Sequence, residues 1–314
     1  MNIKELAEKI QKQQRFISGH RTCSGCGIPL IVRTVLAAAD DPVVAANATG
    51  CLEVTTSIYP FTSWNIPWIH SAFENAAATI SGAEAAYKAL KKKGAINKLV
   101  KFVAFGGDGG TYDIGLQSLS GAWERGHDFV YVCYDNEAYM NTGNQRSSST
   151  PYGAETSTTP AGKVRHGKEE RKKDLVKIAL AHNIPYVAQA AVHNLNDLFA
   201  KAQKAFQTKG PALLNVLMPC TLNWKFPTSQ TTAISKLAVE TRVWPLYEVE
   251  NSKYKINYKP AEPKPVGEYL KTQGRFRHLF APENTPAGEA GLAVIGQIQE
   301  RADRDWEELL AREK

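Results

Sequence analysis

A strand, a glycine-rich turn, a helix and a second strand follow one another in residues 100–135, and this order constrains the fold most. Residues 100–105 (VKFVAF) are apolar and partly β-branched, which predicts a buried strand. The turn is GGDGG at 106–110. Apolar residues at helical spacing predict a helix over 113–125, and 128–134 (DFVYVCY) predicts a second buried strand. Two parallel strands joined by a helix are the basic unit of an α/β fold.

The turn and the residues after the second strand have the chemistry of a diphosphate held through a metal ion. Gly107 and Gly109 let backbone N–H groups approach phosphate oxygens closely, and Asp108 offers a hard oxygen ligand suited to Mg²⁺. Parallel neighbouring strands end at the same sheet edge, so Asn136 and the carbonyl of Ala138 can reach the same ion. The plainer alternative is a glycine turn in an ordinary α/β protein, since a lone GDG is a weak motif.

Four of the five cysteines form a second group of candidate ligands. Cys23 and Cys26 lie in RTCSGCG, Cys51 lies in NATGCLE, and Cys220 follows ALLNVLMP. Four thiolates can hold Zn²⁺ or a [4Fe–4S] cluster, and spacing does not separate the two. A CxxC pair alone could also be a redox dithiol, whereas disulfides are disfavoured with five cysteines and no secretory signal. Cys133 lies within an apolar strand and is assigned to the core.

Together these two groups of residues resemble a known enzyme family. A GDG motif followed by a helix, a strand and an Asn is the signature of the thiamin diphosphate (ThDP) enzymes. The cysteines make the chain similar to the β subunits of 2-oxoacid:ferredoxin oxidoreductases, a family that includes pyruvate:ferredoxin and oxalate oxidoreductases. The resemblance extends through most of residues 15–275 and is carried by HRTCSGCG (20–27), ANATGCLE (46–53), SWNIPWIHSAFENAA (63–77), FGGDGGTYDIG (105–115) and YDNEAYMNTGNQRSSSTP (134–151).

The resemblance implies one ThDP, one Mg²⁺ and one [4Fe–4S] cluster. The family's metal ligands match Asp108, Asn136 and Ala138. The four thiolates of the cluster nearest ThDP match Cys23, Cys26, Cys51 and Cys220. ThDP serves as the electron sink, and a nearby cluster accepts electrons one at a time. The implied reaction is therefore an oxidative decarboxylation that passes electrons to ferredoxin.

Three further residues receive roles through the same resemblance. Asn141 matches an asparagine that lies beside the bound substrate, so it is expected to contact the substrate's oxygens. Thr49 and Gly50, just before Cys51, are expected to contact the diphosphate. On composition alone, Asn141 in MNTGN is a turn residue, and Thr49 and Gly50 are turn residues that position Cys51.

Partner subunits are implied as well. ThDP enzymes activate the cofactor with a glutamate on a pyrimidine-binding domain, and this chain has the sequence of a diphosphate-binding domain. The glutamate is therefore expected from an α subunit, and a γ/δ-type subunit is expected to carry further [4Fe–4S] clusters toward ferredoxin. Glu53, Glu74 and Glu137 are the local acidic candidates, and ion pairing or ligand orientation is their expected role.

Two questions of function stay open at this stage. Pyruvate, with coenzyme A as acyl acceptor, is expected because it is the commonest substrate of the family, and oxalate, which yields CO₂ without coenzyme A, is the alternative. A function of another class is a zinc-stabilised α/β binding protein in which the four cysteines are structural and GDGG is a turn. The joint presence of the GDG motif, the asparagine and four cysteines favours the enzyme.

The rest of the chain predicts a large α/β domain. A length of 314 residues with 43% hydrophobic residues is enough for one large core. Alternating apolar patterns predict a parallel sheet with helices on both faces. The further strands are predicted at 42–47, 186–190 and 212–217 and the helices at 72–93, 169–183 and 193–207.

The predicted organisation has two parts. Residues 1–222 are expected to form the ThDP- and Mg²⁺-binding domain that carries the cluster. The aromatic and proline-spaced segment 223–314 is predicted to be a C-terminal extension that packs on this domain or on a partner subunit and ends in a helix. The long loop at 140–168, rich in Asn, Ser, Thr, Gly and Pro, is expected to cover the cofactor.

Composition excludes two classes of function. An apolar run of about 18 residues is missing, so a membrane span is not predicted. The amphipathic start at residues 2–16 predicts a surface helix rather than a signal peptide, and a cytoplasmic location is expected. The net charge is +7, but the basic runs at 91–93 and 168–174 are predicted to be solvated helix faces. Nucleic-acid binding is excluded because no corresponding motif accompanies the charge.

Overall fold

The strands form one mixed sheet in the structure, a computed structural model that describes residues 2–162, 164–282 and 284–313. The strands of these residues are β1 (Val43–Ala48), β2 (Trp68–Ser71), β3 (Lys101–Gly107), β4 (Val130–Asp135), β5 (Tyr186–Ala191), β6 (Ala212–Leu217), β7 (Tyr247–Glu250) and β8 (Lys253–Ile256). Their order is β2-β1-β3-β4-β6-β5-β7-β8. Strands β1–β6 are parallel, which confirms the predicted fold class. The strands β7 and β8 extend one edge of the sheet, beside β5, in antiparallel orientation.

Helices cover both faces of this sheet, as predicted. In chain order they are α1 (Ile3–Gln13), α2 (Ile28–Ala38), α3 (Cys51–Thr56), α4 (Ala76–Lys92), α5 (Leu116–Glu124), α6 (Leu175–Leu180), α7 (Leu195–Gln207), α8 (Thr221–Trp224), α9 (Thr231–Glu240), α10 (Val266–Lys271) and α11 (Pro286–Glu313). None of the helices in the described ranges is both long and apolar enough to cross a bilayer.

Alternate residues of each strand fill two separate cores. On β3, Val103 and Phe105 pack with α2 and α7, whereas Phe102 and Ala104 pack with α4, α5 and the C-terminal part of α11. Burying an apolar side chain of this size stabilises the fold by about 1.5–3 kcal/mol. Cys133 is fully buried on β4, which confirms its assignment to the core. Because both faces are covered, the strand ends are the exposed part of the sheet at which a site can form.

The helix after the glycine turn begins earlier than predicted. Gly109–Ile114 form a π-helical turn directly after Asp108, and α5 follows from Leu116. An added Cβ at Gly109 would lie 2.5 Å from the ring of Tyr139, so only glycine allows these two segments to approach so closely. Apolar spacing does not reveal a π-turn, because most of its residues are glycine or polar.

The extension both packs on the sheet and adds strands to it. Residues 247–256 form the antiparallel hairpin β7–β8, which pairs with β5. A third core contains Trp224, Phe276 and Val294 of the extension together with Ala191 and Leu217 at the sheet. The described part of α11 agrees with the predicted terminal helix. Contact of the extension with a partner subunit stays a prediction.

The predicted helix at 169–183 is shorter in the structure. Only Leu175–Leu180 are helical, since Asp174 caps the helix by accepting a hydrogen bond from the N–H of Lys177. The preceding loop at 140–168 is irregular, as predicted, although its Lys163 lies outside the described residues. Short bridges such as Tyr139 with Gln145 give the loop its shape.

Candidate active site

A cavity of about 270 Å³ lies at the C-terminal ends of β1, β3 and β4. Three chain segments form its walls: residues 49–51 after β1, 107–110 at the end of β3, and 136–142 after β4 except Glu137. Phe73 and Tyr134 complete the lining. The structure thereby brings together all the residues predicted to bind the cofactor or substrate, namely Thr49, Gly50, Gly107, Asp108, Gly109, Asn136, Ala138 and Asn141. Cys51, a predicted cluster ligand, lines the same cavity.

Asp108 is fully buried beside the end of β4. The parallel pairing of Gly107 with Tyr134 sets the two strand ends level. The N–H of Asn136 donates to Oδ1 of Asp108 at 3.3 Å, and the hydroxyl of Ser147 donates to Oδ2 at 2.5 Å. Burial, and then the nearby charge of Asp135, raises the pKa of Asp108 well above its usual value.

The turn after β4 is held from outside the sheet. The N–H of Ala138 donates to Oδ1 of Asn136 at 3.3 Å, and Glu137 has a left-handed φ of 64°. The carbonyl of Asn136 accepts hydrogen bonds from Nε1 of Trp224 at 2.9 Å and from Nδ2 of Asn223 at 3.1 Å. Both donors belong to the segment that follows Cys220, so the turn after β4 and the cysteine segment are in direct contact.

Two cations balance the carboxylates behind the cavity. Nζ of Lys172 lies 3.2 Å from Asp135 and 3.0 Å from Glu137, and Nη2 of Arg275 lies 2.5 Å from Glu137. Burial alone would raise the pKa of Glu137, but Lys172 and Arg275 hold it below its usual value. Asp135 also accepts a hydrogen bond from the hydroxyl of Tyr112 at 2.8 Å. Glu137 therefore forms ion pairs, in agreement with the role expected for it.

The predicted cluster ligands come from three separate segments. Cys23 and Cys26 precede α2, Cys51 begins α3, and Cys220 precedes α8. Burial raises the pKa of Cys26 and of Cys51 to about 12, and the thiols of Cys220 and Cys23 contribute to both shifts. The N–H of Asn223 donates to Sγ of Cys220 at 3.5 Å. All four thiols are thus near enough to one another for their charges to interact.

Zinc and a four-iron cluster require different spacings of four thiolates. Within residues 2–162, 164–282 and 284–313, no three Cys, His, Asp or Glu side chains are grouped closely enough to hold one metal ion. Four thiolates on one zinc ion, each at about 2.3 Å, would lie roughly 3.8 Å apart. A four-iron cluster binds each thiolate at a different iron, so it needs a wider group of sulfurs.

Thr49 and Asn141 lie at the edge of the cavity. The hydroxyl of Thr49 is 2.7 Å from Nε2 of His70 and donates to the carbonyl of Ser71 at 3.2 Å. Nε2 of His70 is also 3.7 Å from Glu53. Asn141 is exposed and belongs to a turn in which the N–H of Gly143 donates to the carbonyl of Met140 at 3.1 Å. Asn141 is therefore both a turn residue and a cavity residue.

Known proteins identify the family of this chain. Residues 48–216, more than half of the chain, match the thiamine pyrophosphate enzyme C-terminal TPP binding domain. Pyruvate synthase subunit PorB of Thermotoga maritima is 53% identical over 100% of this chain and 97% of that protein. The chain belongs to the 2-oxoacid:ferredoxin oxidoreductase β subunits. It is thus a subunit of an oxidoreductase and contains a ThDP-binding domain, and the residues that line the cavity lie within that domain.

Other proteins similar to this β subunit differ in the substrate that their names give. PorB of Methanocaldococcus jannaschii is 55% identical and the match covers 85% of this chain and 91% of that protein. Ketoisovalerate oxidoreductase subunit VorB of Pyrococcus abyssi is 47% identical over 85% of this chain and 86% of that protein. The structure of 2-oxoglutarate:ferredoxin oxidoreductase from Magnetococcus marinus has a similar fold, with a TM-score of 0.55, 24% identity and coverage of 65% of this chain and 66% of that chain.

Sequence reasoning missed several residues that support the site of this β subunit. Lys172 lies in the basic run 168–174, which was predicted to be a solvated face, yet it bonds two buried carboxylates. Arg275 and Trp224 come from the extension. Ser147, which contacts Asp108, has a weak signal in sequence, since it lies in the serine-rich loop directly after the predicted metal-binding turn.

Proposed function

We propose that this β subunit binds Mg²⁺–ThDP in the cavity and a [4Fe–4S] cluster at Cys23, Cys26, Cys51 and Cys220, and that it oxidises pyruvate together with partner subunits. The observation that carries the proposal is that Cys51 lines the same cavity as Asp108 and Asn136. A cluster held there would lie next to the cofactor. Short distances favour the one-electron steps that a ferredoxin-reducing enzyme requires.

The donor set fits a magnesium ion. Asp108 supplies a buried carboxylate, Asn136 an amide oxygen and Ala138 a backbone carbonyl, all of them hard oxygen donors. These three residues would hold the Mg²⁺ ion, and the N–H groups of the turn at 107–110 would contact phosphate oxygens of ThDP. When bound, ThDP supplies an electron sink for decarboxylation. Thr49 and Gly50 are proposed as further diphosphate contacts, and Thr49 is oriented by its bond to His70.

The thiol group is proposed to hold an iron–sulfur cluster, because a cluster at Cys51 would give this oxidoreductase subunit a one-electron acceptor beside the cavity. The N–H of Asn223 already points to the sulfur of Cys220, and N–H donors of this kind stabilise sulfur-bound negative charge. This supports the enzyme over the alternative of a zinc-stabilised binding protein.

Asn141 is proposed to hydrogen-bond the substrate's oxygens, since it lines the cavity and its side chain is exposed. The activating glutamate is proposed to come from an α subunit, because Glu137 is ion-paired with Lys172 and Arg275. Electrons would continue through clusters of a γ/δ-type subunit to ferredoxin. The polar contacts of this chain thus hold the cofactor, and a partner completes its activation.

Pyruvate is the proposed substrate because the relatives that are 53% and 55% identical to this chain are named pyruvate synthase subunits. A branched 2-oxoacid is a second candidate, because a ketoisovalerate oxidoreductase subunit is 47% identical. The names of the relatives reported above do not mention oxalate. Coenzyme A would accept the acyl group from pyruvate or ketoisovalerate but is not needed for oxalate.

The test is anaerobic purification of the complete complex, followed by analysis of iron, sulfide and zinc. Single-turnover reduction of ferredoxin is then measured with pyruvate and coenzyme A, with ketoisovalerate and coenzyme A, and with oxalate alone. The expected result is iron and sulfide in equal amounts and fastest reduction with pyruvate. Zinc without sulfide, and no turnover of any acid, would overturn the proposal in favour of a structural metal. If another acid is turned over faster than pyruvate, that acid is the substrate and the proposal of pyruvate is wrong.

A further inference from the structure

Arg275 is a buried cation that the extension inserts behind the cavity. Only 1% of its side chain is exposed. Its guanidinium lies 3.9 Å from the centre of the Trp224 ring, Nη2 lies 2.5 Å from Glu137, and Nε donates to Oε1 of Gln273 at 2.9 Å. Gly274 packs so tightly that an added Cβ would lie 2.6 Å from Cβ of Lys225. The extension is thus fitted closely to the turn after Cys220.

Two contacts of Arg275, with Trp224 and with Glu137, lead to the two proposed cofactor sites. Trp224 lies in the same turn as Cys220, since its N–H donates to the carbonyl of Cys220 at 2.9 Å. Nε1 of Trp224 also donates to the carbonyl of Asn136. Glu137 lies between Asn136 and Ala138, the proposed metal ligands. One guanidinium therefore contacts both the segment of a cluster ligand and the metal-binding turn.

Arg275 balances the charge of Glu137, but stability alone does not require a buried ion pair at this place. Burying an arginine costs several kcal/mol in desolvation, and a buried ion pair often stabilises a fold no better than apolar residues of similar size. A methionine could fill much of the same space against Trp224. What an arginine adds is a fixed positive charge in a region of low dielectric constant beside Cys220.

We propose that Arg275 is a positioning residue that orients the Cys220–Trp224 turn and whose buried charge raises the reduction potential of the proposed cluster. The inference depends on the proposed function, because it requires a cluster at Cys220. A reduced cluster carries one more negative charge than an oxidised one, so a nearby cation stabilises the reduced state. The negative charge of Glu137 partly offsets this cation, so removing the charge of Glu137 is expected to raise the reduction potential further.

The test is a potentiometric titration of the anaerobic complex and five variants, monitored by electron paramagnetic resonance. The signal that is missing from Cys220→Ala identifies the relevant cluster among those of the complex. Arg275→Met is expected to lower its potential, Arg275→Lys to leave it near that of the wild type, and Glu137→Gln to raise it. The matched control is Arg242→Met, since Arg242 also stacks on a tryptophan of the extension, 5.0 Å above the Trp306 ring, without contacting the site.

Equal potentials in the wild type, Arg275→Met and Arg242→Met, with iron retained in all three, would overturn the inference. If Arg275→Met does not assemble, the potentials of Glu137→Gln and Arg275→Lys decide. An unchanged or lower potential in Glu137→Gln overturns the inference. A higher potential in Glu137→Gln, with Arg275→Lys near the wild type, supports the inference. A wild-type complex without iron and sulfide would instead refute the proposed function. The two failures are therefore distinguishable.

Discussion

Asp108 is the side chain on which the proposed metal site depends most directly. It is the charged member of the donor set, and it is held between the N–H of Asn136 and the hydroxyl of Ser147. Its position follows from β3, whose last residue precedes it, and from the parallel pairing with β4. A neutral residue there would leave two weaker oxygen donors for a hard divalent cation.

Asp108→Ala is expected to abolish ThDP retention while the absorbance of the cluster persists, because the change removes a metal ligand and no thiolate. The measurement is ThDP and iron content after gel filtration of the anaerobic complex. Asp174→Ala is the control: it removes the cap of α6, at a cost of about 1 kcal/mol, and leaves ThDP bound. Loss of ThDP and cluster together from Asp108→Ala would contradict the separation of the two sites.

Sequence selects candidate site residues where the chemistry and the local pattern coincide. Asp108, Asn136 and the four cysteines stand next to predicted strand ends or in a recognisable motif, and their ligand roles stay predictions. Lys172 and Arg275 carry no such local signal, because their roles come from packing against Asp135 and Glu137. A cation in a basic run usually faces solvent, and only the tertiary fold reveals the exception.

At the scale of elements, the π-helical turn after β3 depends on the missing side chain of Gly109. Gly109→Ala is expected to push the Tyr139 ring away, since the new Cβ would lie 2.5 Å from it. The displaced ring moves the cavity wall at 139–142, so ThDP affinity should fall at least about tenfold, roughly 1.4 kcal/mol. ThDP titration by calorimetry measures the effect.

The control for this prediction is Gly82→Ala, which lies within α4 where an added Cβ has open space. It should leave ThDP affinity unchanged and stabilise the helix by about 0.5–1 kcal/mol. Equal affinities in both alanine variants would mean that the Tyr139 ring does not fix the shape of the cavity.

The short turn α8 links the two proposed cofactor sites. Cys220→Ala is expected to remove the iron signal nearest ThDP and to slow ferredoxin reduction strongly, while the fold is retained. The lost bond from Asn223 to sulfur costs about 1 kcal/mol or less. Iron content and circular dichroism are the measurements, with the buried Cys133→Ala as the control that keeps its iron. Full ferredoxin reduction by Cys220→Ala would remove this residue from the ligand set.

At the scale of the whole molecule, five of the six parallel strands were predicted from sequence, whereas the four-residue β2 and the two antiparallel strands were not. The strands β3, β4 and β6 are continuous apolar runs, which is typical of strands buried on both faces. By contrast, β7 (YEVE) and β8 (KYKI) are four residues each with charged alternate positions, so their local pattern is weak. Pairing with β5 stabilises them, and this pairing depends on contacts more than fifty residues apart in sequence.

The extension is also attached to the sheet through His193, which gives its attachment a dependence on pH. The N–H of His193 donates to the hydroxyl of Ser235 in α9 at 3.3 Å, and Nδ1 lies 3.2 Å from the same oxygen. Burial, and then the charge of Lys236, lowers the pKa of His193 to about 4. An unfolded histidine titrates near 6.5, so between pH 6.5 and 4 the opened form binds a proton that the folded form does not.

Opening of α9 is therefore expected to become easier as the pH falls from 6.5 to 4, by at most about tenfold per pH unit, and to be insensitive to this group above pH 7. Hydrogen exchange of residues 231–240 in the intact complex, corrected for intrinsic rates, measures the protection at each pH. His193→Gln keeps a polar side chain but cannot take up a proton, so its protection should depend less steeply on pH. Parallel profiles for the wild type and the variant would show that protonation of His193 does not control how firmly the extension is attached.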